Sequence, residues 1–77
     1  MTQLRSQFAK RLKTLRIEKQ LTQEELAEIT GLSTSFISSM ERGINAASFE
    51  TLESLAKALD VPVRDLFDFD SYGPEIL

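Results

Sequence analysis

Between Ser33 and Asn45 the chain gathers compact side chains that donate and accept hydrogen bonds: Ser33, Thr34, Ser35, Ser38, Ser39, Arg42 and Asn45, with Gln23 upstream. A hydroxyl offers one proton and two lone pairs. It can meet a phosphate oxygen or the edge of a base, and arginine and the carboxamides add donors of longer reach. Covalent chemistry fits the chain poorly. Its 77 residues include no cysteine and no histidine. The commonest nucleophile, proton shuttle and metal ligand are therefore missing. The acids Asp65, Asp68, Asp70 and Glu75 lack the spacing of a calcium loop. A chain this short also has little room for paired carboxylates in a deep pocket. The expectation is a binding protein and not an enzyme, with no cofactor, metal or small-molecule ligand.

The elements that must position these groups read as short helices. Leu4, Phe8, Leu12 and Leu15 recur at helical spacing with Arg and Lys between them. They predict an amphipathic first helix to about Lys19, broken at Gln20–Leu21. Thr22-Gln-Glu-Glu25 is a capping box, and the second helix should run to about Thr30, with Gly31 as its left-handed stop. Ser33 caps a third helix that ends near Arg42–Gly43. Ile44–Ala47 is a loop, and Ser48 caps a fourth helix whose stripe is Leu52, Leu55, Ala56 and Leu59. Pro62 suits the first position of a short fifth helix through Phe67. One domain, residues 1–68, is expected, followed by an acidic, aromatic tail over 69–77.

The second and third helices form the informative unit. Leu26, Leu32, Ile37 and Met40 fall where the pair would face inward, and Ala27 is small enough to let the helices approach. Thr34, Ser35, Ser38 and Ser39 occupy the other side of the third helix. A buried helix would be apolar there, and an ordinary solvated one would carry Glu and Lys. Hydroxyls let a backbone come close to another surface. The plainer alternative is a serine-rich segment that merely prefers caps and turns. Phe36 either packs beside the second helix or wedges against a ligand.

Net charge is −3, but it is divided along the chain. In residues 1–19 six cations oppose Glu18 alone, giving +5; residues 20–47 carry −3 and residues 48–77 carry −5. Such asymmetry points to nucleic acid or another anionic surface, with a solvated basic helix as the plain alternative. On this basis Lys10, Arg11 and Lys13 are candidates for phosphate contact. No apolar run approaches the roughly 20 residues that span a bilayer. The start, MTQLRSQFAKRLK, lacks the apolar core of a signal peptide. A cytoplasmic protein that does not engage membranes is expected.

Three segments, LRIEKQLTQEELAEITGLS, FISSMERG and SFETLESLAKALDVPVRDLF, together resemble the lambda-repressor-like domains of the Cro/XRE type, over Phe8 to Phe67. The resemblance implies an all-α, five-helix fold with a helix-turn-helix formed by helices 2 and 3. It implies a double-stranded DNA-binding transcription regulator, acting as a homodimer on an inverted repeat. The implied contact residues are Gln23, Ser33, Thr34, Ser35, Phe36, Ser38, Ser39, Arg42 and Asn45. Thr34, Ser35 and Ser39 would face bases with Ser38 beside them, while Gln23, Arg42 and Asn45 would lie against the backbone. Arg16 and Glu41 would form a partly buried salt bridge. Many relatives place Gln, Arg or Lys at the base-reading positions. Here only Thr and Ser stand there, which shifts weight to thymine methyls, water and DNA shape.

The chief alternative is an adapter or antitoxin of the same fold that works through protein contacts, which overall acidity favours. A fragment of a longer regulator is another. Phe67, Phe69, Tyr72, Ile76 and Leu77 give the end of the chain more apolar surface than a free tail needs. Either Phe67 closes the core and the rest frays, or the tail makes a dimer contact.

Overall fold

The computed structural model describes residues 3–69, and among them all regular structure is helical. Four α-helices are followed by one 3₁₀ turn: α1 Gln3–Glu18, α2 Gln23–Thr30, α3 Thr34–Glu41, α4 Phe49–Leu59 and the turn Val63–Phe67. The fifth helix expected from Pro62 is thus a 3₁₀ turn, with Pro62 at its cap and not inside it. No helix among the described residues is long and apolar enough to cross a membrane.

The local signals act as their chemistry dictates. Thr22 Oγ1 accepts the Glu25 N–H at 3.0 Å, and the Glu25 carboxylate accepts the Thr22 N–H at 2.8 Å. Ser33 and Ser48 cap α3 and α4 in the same manner, accepting from Phe36 and Thr51. Each α-helix is followed by a residue in the left-handed region: Gln20 (φ 61°), Gly31 (75°), Gly43 (75°) and Asp60 (57°). At each end the next N–H reaches back to a carbonyl five residues earlier: Leu21 to Arg16, Leu32 to Ala27, Ile44 to Ser39 and Val61 to Ala56. This closure satisfies carbonyls that the helix itself leaves orphaned. Glycine meets that geometry freely; Gln20 and Asp60 adopt it under strain.

Leu12, Leu26, Ile37, Met40, Leu55, Leu59 and Leu66 are fully buried. Each contributes about 1.5–3 kcal/mol by leaving water. α1 packs against α3 and the 3₁₀ turn, α2 against α3 and α4, and α4 against the 3₁₀ turn. Ala27 is buried where α2 meets the core, and Leu32 and Phe36 pack partly against it. Phe36 thus makes the packing contact, and it stays half-buried. Two apolar residues lie outside the core. Leu4 belongs to the apolar spacing of α1, yet is 55% exposed. Leu66 closes the end of the core, while Phe67 stays half-exposed and lies against Phe8, ring centroids 5.5 Å apart.

Candidate nucleic-acid interface

The turn at Gly31 sets α3 against α2, and burial of Ile37 and Met40 fixes which side of α3 faces in. Ser35, Ser38, Ser39 and Arg42 then fall on one row, at i, i+3, i+4 and i+7. Ser35 and Arg42 are exposed; Thr34, Ser38 and Ser39 are half-buried. Among the described residues nothing takes the hydroxyls of Thr34, Ser35 or Ser38, or the Arg42 guanidinium, as a hydrogen-bond partner. Ser33 Oγ accepts the Phe36 N–H at 3.0 Å, so its lone pair serves the cap and its proton remains for another acceptor.

An ion pair ties this unit to α1. Arg16 Nε and Nη2 donate to the two Glu41 carboxylate oxygens at 2.7 and 2.9 Å, and Nη1 donates to the Leu21 carbonyl at 2.8 Å. The two side chains are only 11% and 3% exposed. The Arg16 guanidinium is held above its ordinary value, chiefly by its hydrogen bond to Glu41 and against the opposing effect of burial. The charges of Glu41 and Glu24 add to that shift. Gln23 Nε2 joins the pair, donating to Glu41 Oε1 at 3.1 Å. Gln23 keeps a second Nε2 proton and a helix-start backbone N–H, both suited to an anion. Its neighbours Glu24 and Glu25 oppose one, whereas the first turn of α3 carries no acid.

The loop after α3 is also built onto it. With Gly43 left-handed, the Ile44 N–H reaches the Ser39 carbonyl at 2.9 Å and the Asn45 N–H reaches it at 3.4 Å. Asn45 Nδ2 donates to Ser39 Oγ at 3.2 Å, and Ser39 Oγ donates to the Ser35 carbonyl at 3.0 Å. Spacing along the sequence carries no signal for this chain of bonds.

The basic face of α1 is smaller than its composition suggests. Arg11 is 7% exposed, and its Nε donates to the Asp65 carbonyl at 2.7 Å. It fastens the 3₁₀ turn and is no surface cation, which removes it from the candidates for phosphate contact. Arg16 is interior as well, leaving Lys10 and Lys13 exposed on α1. Of the apolar tail only Phe69 is described, its ring edge-on to Phe67 with centroids 6.3 Å apart. The dimer contact expected over 69–77 otherwise lies outside the described residues.

A family model, the helix-turn-helix model HTH_3, matches residues 12–66. Control protein C.BamHI of Bacillus amyloliquefaciens is 35% identical over 71 residues, 91% of this chain and 88% of that protein. The crystal structure of the restriction-modification controller protein C.AhdI from Aeromonas hydrophila superposes with a TM-score of 0.80. It is 41% identical, and the match covers 82% of this chain and 96% of that one. The transcriptional repressor RstR of cryptic phage CTXphi, from Vibrio cholerae, is 36% identical over 59 residues. That match takes in 77% of this chain but only 53% of RstR, so the chain spans about half of this longer relative. Fold, capped helix pair and relatives agree: the chain belongs to the Cro/C1-type helix-turn-helix family of DNA-binding transcription regulators.

Proposed function

We propose that the protein binds an inverted repeat in double-stranded DNA as a homodimer, one α3 per half-site lying in the major groove. The observation that carries this is the set of unpartnered polar side chains Thr34, Ser35, Ser38 and Arg42 on a helix pair locked by Arg16–Glu41. The half-sites would be about 34–36 Å apart, one turn of B-DNA. Arg42, Gln23 and at least one of Lys10 and Lys13 would meet phosphates. With few cations, a single copy gains little from counterion release, and a dimer doubles every contact.

An apolar surface supports self-association. Leu4, Ile44 and Phe49 are exposed, Phe49 by 82%, and Phe67 is partly so. Leu4, Phe49 and Phe67 help line an open cavity of about 280 Å³ that also takes in Arg5, Phe8 and Leu52. A grouped apolar patch with aromatics marks an interaction site more often than scattered residues do. The match to C.BamHI and C.AhdI along most of their length supports the role of a small control protein of the restriction-modification type. Such a regulator would block or recruit polymerase near a promoter.

Selection from a pool of randomised duplexes tests the proposal. An enriched palindrome with half-sites one turn apart is the expected result. Binding without enrichment, abolished by raised salt, would defeat it and would favour the adapter reading, which the net charge of −3 also favours.

A further inference from the structure

Ser39 and Asn45 are joined in a way that fixes what the Ser39 hydroxyl can recognise. The single Ser39 proton is committed to the Ser35 carbonyl at 3.0 Å. One of its two lone pairs takes the Asn45 Nδ2–H at 3.2 Å. A hydroxyl has one proton and two lone pairs, so one lone pair remains and no proton. Asn45 is itself held, because its backbone N–H and that of Ile44 both point to the Ser39 carbonyl. The left-handed Gly43 (φ 75°) turns the loop back for this purpose.

We infer that the Ser35 carbonyl and Asn45 together make Ser39 an acceptor-only reader, selective for an exocyclic amine on a major-groove base edge: the carbonyl binds its proton, and Asn45, as a positioning residue, fills one lone pair and leaves the other for the base. The inference rests on the proposal that α3 enters the major groove. There the amine of adenine or cytosine is a donor, whereas guanine presents O6 and N7, and thymine O4, as acceptors. A free serine hydroxyl rotates and serves donors and acceptors alike. A serine with its proton bound cannot approach O6, N7 or O4 without lone pairs opposing one another. The pairing thus gives a small side chain a selectivity usually supplied by longer carboxamides or arginines. Asn45 acts through Ser39, in place of the backbone contact that the family resemblance suggests for it.

The test uses the full chain and the duplex enriched from the randomised pool. In that duplex each adenine or cytosine of a half-site is replaced, one at a time, by its analogue lacking the exocyclic amine. Affinities are measured for the wild type, Ser39→Ala and Asn45→Ala, with circular dichroism melting to establish that each variant folds. For the wild type, amine deletion at one position per half-site should cost about 3- to 10-fold, the worth of one hydrogen bond. Ser39→Ala should abolish that penalty while leaving those at other positions. Asn45→Ala should shrink it, because the hydroxyl proton can then swing into the position that Asn45 occupied and the remaining lone pair is no longer held toward the base. Equal penalties in the wild type and Ser39→Ala at every position would overturn the inference alone. So would a uniform loss for Asn45→Ala on all duplexes, including scrambled ones, which is the mark of a backbone contact. Failure of any duplex to be enriched would overturn the major-groove proposal and this inference with it.

Discussion

Replacing Glu41 with alanine should nearly unfold the protein, and replacing Arg16 at the same time should restore much of the loss. The Glu41 carboxylate is 3% exposed and accepts three hydrogen bonds, two from Arg16 and one from Gln23. Its removal strands a guanidinium that is 11% exposed and keeps only the Leu21 carbonyl. Leaving one member of a buried pair uncompensated costs about 3–5 kcal/mol. A domain of this length has roughly 4–12 kcal/mol in total, taken at about 0.05–0.15 kcal/mol per residue. The double replacement Arg16→Met with Glu41→Leu exchanges the pair for apolar volume and should fall within about 1 kcal/mol of the wild type, or above it. Urea denaturation followed by far-ultraviolet circular dichroism reads both, with an unchanged slope to show that the folded state stays compact. A drop below about 1 kcal/mol for the single variant, or additive effects in the double, would show that the two charges do not depend on each other. The pH dependence has a definite sign. The folded value of Arg16 lies above its ordinary one, so its contribution is present at every pH below that ordinary value. It fades only in strong alkali, and stability should not fall on its account through the neutral range.

Four further outcomes are expected. Arg11→Ala should lower stability by about 1.5–3 kcal/mol through its charged hydrogen bond to the Asp65 carbonyl, without changing the salt dependence of DNA binding. Lys10→Gln with Lys13→Gln should do the reverse, flattening the salt slope by about one for each phosphate that is no longer neutralised. Gln20→Gly should raise the urea midpoint, stabilising by about 0.5–1 kcal/mol through relief of a left-handed non-glycine. Phe49→Glu should halve the mass found by light scattering at micromolar concentration while leaving the melting transition near its original position; an unchanged mass would remove this face from the proposed dimer contact.

The parts legible in the sequence are those decided locally. Thr22 with Glu25, Ser33, Ser48, Gly31 and Gly43 announce helix ends because a cap is made within a few residues. The stripe of α4 and the inward set Leu26, Ile37 and Met40 follow from helical period. What stayed hidden depends on distant partners. Arg11 looks like any surface cation until Asp65, far along the chain, brings its carbonyl alongside. Leu4 fits the period of α1 but lies in its first turn at the rim of the open cavity, where the core has ended. Gln20 and Asp60 stop their helices as glycine would, against their own preference. Pro62 marks the right place but shapes a 3₁₀ turn. Within the candidate interface, the hydroxyl row of α3 could be read directly. The bond from Asn45 to Ser39 could not, because it depends on how the loop folds back after Gly43.

Whether α3 reads base sequence is decided by the ratio of affinities for the enriched duplex and a scrambled duplex of the same composition, at two salt concentrations. A preference of about 10³-fold or more is expected, persisting as salt rises while both affinities fall together. A ratio near one at both salts would contradict it, reducing the protein's hold on DNA to charge alone.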